Sequence, residues 1–429
     1  MRLASVSIAR LLALAGSFYF AAILALVLSQ TPLGSPLFLG VVAVAGCSYV
    51  LMLARVWDAP AQPRHLLYIA LSLAVLFRIP PAVAPVGPDS DMVRYLWDGR
   101  VQRLGYNPYT VIPADPALAQ THTAETAQMP SRRHRTPYPP AAQLFFRLIV
   151  AIGNSTLAMK LALVVCDLLT IAVLWRWLAA SGRSEWLTLA YAWNPLAVLE
   201  ISHSGHIDAL GALWITAAAC WLTRRRTALA CVAFVFAVAT KLLPIVLVPL
   251  LIGRVRPRDL ILGIALAALL YLPFTFGSEL PLGAIPNVVA NIRFNGPVFR
   301  GVAWIASPQG AAALALLAGL SAAVWARVRL PVSDPAAWAW PMAIALLGAP
   351  VIYPWYLLCL TPFLFSRTAI PLIVWTMSVM PVYLVWHLAR LGGRWAVPPS
   401  VMLLEYGALL IATVMLLRRR QSQVASAQS

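Results

Sequence analysis

Apolar residues run along this chain in long blocks, and polar ones are confined mostly to short breaks between them. An α-helix rises 1.5 Å per residue, so about 20 apolar residues cross a hydrocarbon core of ~30 Å. Blocks of this kind lie at 8–28, 36–54, 65–79, 156–177, 185–201, 206–223, 227–240, 241–253, 259–275, 302–326, 336–350, 352–366, 369–388 and 399–417. They predict an all-α polytopic membrane protein with about 12–14 transmembrane helices. The blocks 227–240 and 241–253 have only about 13 residues each, near 20 Å as helix, and predict a short hairpin turning at Lys241 and Pro244. The segment 140–152 carries Arg147 and predicts a short or interfacial helix that does not cross. One polar stretch is long, residues 80–138, and it predicts an extramembrane loop with interfacial helices. The chain, 1–429, thus reads as one integral membrane domain, ending in a charged tail at 418–429.

Composition sharpens this picture. Of the 429 residues, 61% are hydrophobic and 11% charged, and the mean hydropathy is +0.80, which excludes a water-soluble enzyme. Basic residues outnumber acidic ones 32 to 14, a net charge of +18. On a soluble protein that excess would suggest nucleic acid, but here the arginines follow the breaks between apolar blocks. Arg55 and Arg64, Arg176 and Arg183, Arg224–Arg226, Arg254–Arg258, Arg327 and Arg329, and Arg418–Arg420 fall in alternate breaks. The positive-inside rule then places both termini in the cytoplasm and the loop 80–138 outside the plasma membrane. The first apolar block lacks a convincing cleavage site after it and reads as a retained helix rather than a signal peptide. The five cysteines lie in apolar runs without paired spacing and read as buried hydrophobes.

Acids are scarce, so each position is informative. Asp89 and Asp91 open the long loop at the end of a spanning helix. A carboxylate at that boundary suits a general base toward a hydroxyl; helix capping is the plainer role, and the Asp-x-Asp spacing also admits a divalent metal. Arg94, Tyr95, Asp98 and Gln102 share a face of a short helix expected to lie along the membrane surface, with Asp98 paired to Arg94 or Gln102. Arg132, Arg133 and Arg135 close the loop, and clustered guanidinium groups suit a phosphate or lipid headgroups. Glu200, His203, His206 and Asp208 cluster at a helix end; the His-x-x-His pattern allows a metal, but hydrogen bonding to substrate or the helix end fits as well. Lys241, one of two lysines, stands in an apolar stretch, where a bare charge costs roughly 2.5–3.5 kcal/mol. It therefore needs a partner such as an anionic phosphate. Asp167 and Glu405 also sit within apolar blocks and should pair with an arginine or backbone group. Arg293 and Asn295, and further on Trp355 within Tyr353–Tyr356, combine aromatic, amide and guanidinium groups suited to sugars; interfacial aromatic belts share that composition.

Several ordered pieces carry a resemblance: RYLWDGRVQ (94–102), GYNPY (105–109), YPPAAQLFF (138–146), AWNPLAVLE (192–200), SGHIDAL (204–210), ATKLLPIVLVP (239–249), RFNGPVF (293–299) and YPWYLLCLTPFL (353–364). Together the chain resembles the bacterial GT-C glycosyltransferases, and among them the polyprenol-phosphate-mannose-dependent alpha-1,6-mannosyltransferases of cell-envelope synthesis. The Asp-x-Asp opening is also similar to the mannosyltransferase of eukaryotic glycolipid-anchor assembly. The resemblance implies an inverting transferase that moves a hexose, expected to be mannose, from a polyprenyl-phosphate donor to a lipid-linked or envelope glycan. It implies Asp91 as base, because it stands just before the MVRYLWDG run, with Asp89 second; relatives have adjacent acids here, and Ser90 between the two leaves the choice open. Lys241, Arg293 and Arg135 would grip the donor phosphate. Arg94, Tyr95, Asp98, His206, Asp208, Asn295 and Trp355 would contact substrate. No cofactor is required by this chemistry, although a divalent metal is compatible with it. The expected partners are the prenyl-phosphate sugar, the glycan acceptor and membrane lipids, with no nucleic acid. The alternative class is a transporter or flippase of a lipid-linked sugar, which also uses many helices, broken ones among them.

Overall fold

The computed structural model describes residues 7–57, 63–87, 90–276 and 281–428. Eight of its helices are long and apolar enough to cross a membrane, and four shorter apolar ones accompany them. Among the described residues there is no strand, only an isolated bridge between Phe294 and Val351.

The first three long helices are α1 (Ile8–Leu28), α2 (Pro36–Trp57) and α3 (Arg64–Val83), whose last turns hold Pro80 and Pro81. Two shorter helices follow beyond α3: α4 (Asp91–Arg103) and α5 (Pro140–Ile152). The chain then re-enters with α6 (Thr156–Ala180), whose N-cap Ser155 accepts from the Ala158 amide at 3.2 Å. Beyond α6 come helices Asp208–Thr223, Thr227–Thr240, Pro257–Tyr271, Ala336–Leu347 and Pro399–Gln428, and the kinked Pro297–Arg329. The kink is at Ser307, whose φ of +64° precedes Pro308.

Several of the apolar blocks are broken within their length. Residues 185–201 fold as a 3-10 turn, a turn of α-helix to Ala192, a restart at Pro195–Val198 and a π-helical turn at Leu199–His203. The reason is local: Asn194 caps the amide of Leu196 at 3.0 Å, and Pro195 starts a new helix rather than continuing the old. Prolines do the same at 244 and 249, and at 354 and 362, so 241–253 and 352–366 form short turns. The block 227–240 is one helix as expected.

The helix expected along the membrane surface departs more. It begins at Asp91, three residues earlier than the surface face implied, and residues 92–99 are buried. It packs against α5 and α6, and at Gly99 the approach is so close that a Cβ would meet the Phe146 carbonyl at 2.5 Å.

The charges inside the bundle are paired. Arg78 on α3 and Asp167 on α6 form a fully buried ion pair, and Tyr191 donates its hydroxyl to Asp167 at 2.6 Å. Lys160 donates to the carbonyls of Pro81 at 3.0 Å and Ala84 at 2.7 Å, joining the start of α6 to the end of α3. Glu405 accepts from the Asn295 amide at 2.9 Å and the Trp375 indole at 2.8 Å rather than from an arginine.

Candidate active site

Asp91 is the first residue of α4. Ser90 is the N-cap, its Oγ accepting from the Met92 amide at 3.3 Å, so the carboxylate lies beside the helix's positive end. A third of its side chain is exposed, although most of the helix it opens is buried. The His206 imidazole lies between two acids: Nδ1 is 3.7 Å from Asp91 Oδ2, while Nε2 is 3.3 Å from Glu200 Oε2. Both Glu200 oxygens accept from the Tyr383 hydroxyl, at 2.7 and 2.8 Å. The imidazole is stacked on Trp355 at 4.1 Å, and Tyr353 stacks on the same indole at 4.4 Å.

The backbone that delivers His206 is exacting. Gly205 has φ +72°, and a Cβ there would stand 2.2 Å from the Met92 sulfur. Glycine alone adopts that conformation in that space without strain. The next amide, Ile207, donates to the Tyr95 hydroxyl at 3.3 Å, which fixes the loop to α4.

Beside this group stands a half-buried cation. Lys241, the extended residue that ends helix Thr227–Thr240, meets Asp208 Oδ2 at 3.0 Å. Its ammonium also lies 5.0 Å from the centre of the Tyr356 ring and 5.8 Å from that of Tyr138. Both rings also lie within electrostatic reach of Asp91. Burial first, then Asp208 and Asp91, push the Tyr356 phenol well up; burial and then Asp91 do so for Tyr138. Acid, imidazole, paired ammonium and aromatic rings thus form one connected cluster.

Of the residues singled out from the sequence, Asp91, Tyr95, His206, Asp208, Lys241 and Trp355 come together here. Asp89 lies outside the described residues. Arg94 and Asp98 are turned inward: Asp98 accepts from Arg94 Nε at 2.7 Å, Thr136 Oγ1 at 2.6 Å and Gln143 Nε2 at 3.0 Å, and Arg94 also donates to the His134 carbonyl at 2.9 Å. That network clamps the end of the long loop onto α4 and leaves the carboxylate nothing to offer a substrate. Arg293 donates to the carbonyls of Val289, Ala290 and Ile292 at 2.7–3.0 Å, so it closes the end of its own short helix. Asn295 is likewise spent on Glu405 and accepts from Tyr406. Arg135 is exposed on the loop. His203, buried and pushed down to about 4 by that burial and by Lys160, stays neutral and apart from the His206 imidazole contacts. Among the described residues no three His, Cys, Asp or Glu side chains group as a metal site.

Glu200 was visible in the sequence only as part of a histidine-rich cluster, and Tyr383, Tyr138 and Tyr356 carried no signal that set them apart from other membrane tyrosines. A family model described as alpha-(1->6)-mannopyranosyltransferase, N-terminal domain, matches residues 5–255, more than half of the chain. No curated protein and no solved structure matches.

Proposed function

The chain belongs to the alpha-(1->6)-mannopyranosyltransferase family, and from that premise we propose that it moves mannose from a polyprenyl-phosphate donor to an α-(1→6)-linked mannan acceptor outside the membrane, with Asp91 as base. That it is a multi-pass membrane glycosyltransferase transferring mannosyl groups follows from the family and its apolar helices, and decides for the enzyme over the transporter. A sugar donor and a glycan acceptor follow with it.

The observation that carries the finer reading is the partly exposed Asp91 carboxylate beside His206, in the same cluster as the half-buried Lys241 paired with the buried Asp208. In this reading Asp91 takes the proton of an acceptor hydroxyl as its oxygen attacks the anomeric carbon. The bond from that carbon to the phosphate oxygen breaks on the opposite face, and its electron pair stays on the phosphate. Configuration inverts. The departing phosphate needs little protonation, so one carboxylate suffices. Lys241 stands to balance its charge, with Asp208 keeping the ammonium paired until the phosphate shares it. The exposed Arg135 is the second candidate for the phosphate, on the loop that closes over α4. With Lys241 in place no metal is required, so a chelator should leave the rate unchanged.

The test uses purified full-length protein in lipid nanodiscs, radiolabelled polyprenyl-phosphate mannose and an α-(1→6)-mannooligosaccharide. Transfer is expected, with nucleotide-linked mannose inert. Asp91→Asn should lower kcat at least about 100-fold, as expected for loss of a general base, while Asp89→Asn should stay close to the parent. Full activity of Asp91→Asn, or use of a nucleotide donor, would overturn the reading.

A further inference from the structure

We propose that His206 is a proton relay for Asp91, held in its working tautomer by Glu200 as a positioning residue. This rests on Asp91 as the base and extends it to where the proton goes.

The imidazole faces a carboxylate on each side, Glu200 at 3.3 Å from Nε2 and Asp91 at 3.7 Å from Nδ1. Glu200 is 1% exposed and already accepts from the Tyr383 hydroxyl on both oxygens. An ionised carboxylate offers only lone pairs, so the neutral imidazole places its proton on Nε2 toward Glu200. Nδ1 is then a bare lone pair. It is buried, with no hydrogen-bond partner of its own, and it is aimed at the side of Asp91. The ring cannot swing away from this pose: Trp355 stacks on it with planes 10° apart, and Gly205 leaves no room for the backbone to shift.

The surrounding groups leave the relay to these few side chains. From α4 come Asp91 and the Tyr95 hydroxyl, which is engaged by the Ile207 amide; from the 380–383 turn comes Tyr383, behind Glu200; from 354–359 comes the Trp355 ring. The Lys241 ammonium is already paired with Asp208, which stands two residues along from His206. Asp91 and Glu200 are the acids within ion-pair reach of the imidazole among the described residues.

A carboxylate that has taken a proton must lose it before the next turnover, and the leaving phosphate has no need of it. At 3.7 Å the Asp91 to His206 contact is longer than a hydrogen bond, but Asp91 is a third exposed and a side-chain rotation closes the gap. The step balances as follows. The acceptor O–H proton goes to Asp91 Oδ2 while the new carbon–oxygen bond forms and the bond to phosphate breaks. The proton then moves from Asp91 to Nδ1, giving an imidazolium between two carboxylates and restoring the base. It leaves to solvent when the product departs, and the neutral ring returns.

In the same transfer assay, His206→Gln is expected to lower kcat about 10–100-fold, with KM for polyprenyl-phosphate mannose changed by less than about threefold. Protonation of the ring before the reaction blocks the relay, so the acidic limb of the rate–pH profile should move to lower pH in this variant. Glu200→Gln, which no longer fixes the tautomer, should lower kcat in the same direction. His206→Gly should regain activity on addition of imidazole, a rescue that loss of packing alone would not allow. A His206→Gln enzyme that keeps its kcat would overturn the relay alone. So would a loss of kcat with an unmoved acidic limb and no rescue by imidazole, since the ring would then be packing or a sugar contact. Full activity of Asp91→Asn would overturn the base and the relay together.

Discussion

Lys241 and Asp208 show how a single side chain advertises itself and how much of its setting stays hidden. A lysine in an apolar run must have a partner, and that necessity was legible without coordinates. The partner's identity was not, because Asp208 opens one helix and Lys241 ends the next. Removing the lysine alone leaves Asp208, only 5% exposed, as an uncompensated buried charge. Lys241→Met should therefore lower the melting midpoint, corresponding to about 3–5 kcal/mol, and raise KM for the donor. Adding Asp208→Asn should return most of the stability, because neither charge is then stranded, but not the donor KM. Melting curves and initial rates on the two variants check this; a double variant with parental KM would make the lysine a structural prop. Glu200 and Tyr383 are harder still to find from sequence. They lie 183 positions apart, and only the fold brings the hydroxyl onto the carboxylate.

At the scale of elements, apolar length was a good guide where the block was uninterrupted. Thus α1, α2, α3 and α6 stand close to their expected bounds, and Ser7 and Ser155 cap two of them. It failed where proline or Asn-Pro interrupts the block, since hydropathy does not register a missing amide donor. The turn at 199–203 is of this kind, and its π-helical geometry carries Glu200. Helix α4 was misjudged for a different reason. Its charged residues looked like a wet face, but Arg94, Asp98, Gln102 and Gln143 satisfy one another, so the polar face is buried against α5 and the loop. A paired charge can be interior, and sequence alone does not show the pairing. The same rule governs α3 and α6, joined by Arg78 and Asp167. Asp167→Asn should strand Arg78 and cost about 3–5 kcal/mol, whereas replacing both by leucine should cost less or nothing. Thermal melting in detergent reads both; a double variant less stable than Asp167→Asn would show that the pair contributes net stability.

At the scale of the molecule, the arginine loops gather at one end. Arg64 reaches Glu185 at 3.1 Å, Arg224 donates to the Arg176 carbonyl at 2.8 Å, and Arg254 donates to the Arg327 carbonyl at 2.8 Å. The opposite end holds Asp91, His206 and Lys241 at the mouths of α4 and the helices that meet it. Lys160 ties the start of α6 to the end of α3, so the chain leaves α3 and enters α6 at the same end of the bundle. The family match to residues 5–255 takes in Asp91, His206 and Lys241, while Trp355, Tyr356 and Tyr383 come from the remaining two-fifths of the chain. The pocket needs both parts. Under the proposed reading, the positive-inside rule turns these basic loops toward the cytoplasm and Asp91 outward, the side on which a polyprenyl-phosphate donor would meet its glycan acceptor. In a background with the five native cysteines replaced, Gln120→Cys on the exposed loop should react with a membrane-impermeant maleimide applied to intact spheroplasts. Ser422→Cys, exposed on the last helix, should react only after permeabilisation. The reverse pattern would put Asp91 on the cytoplasmic side, and the donor would then have to be drawn from that leaflet.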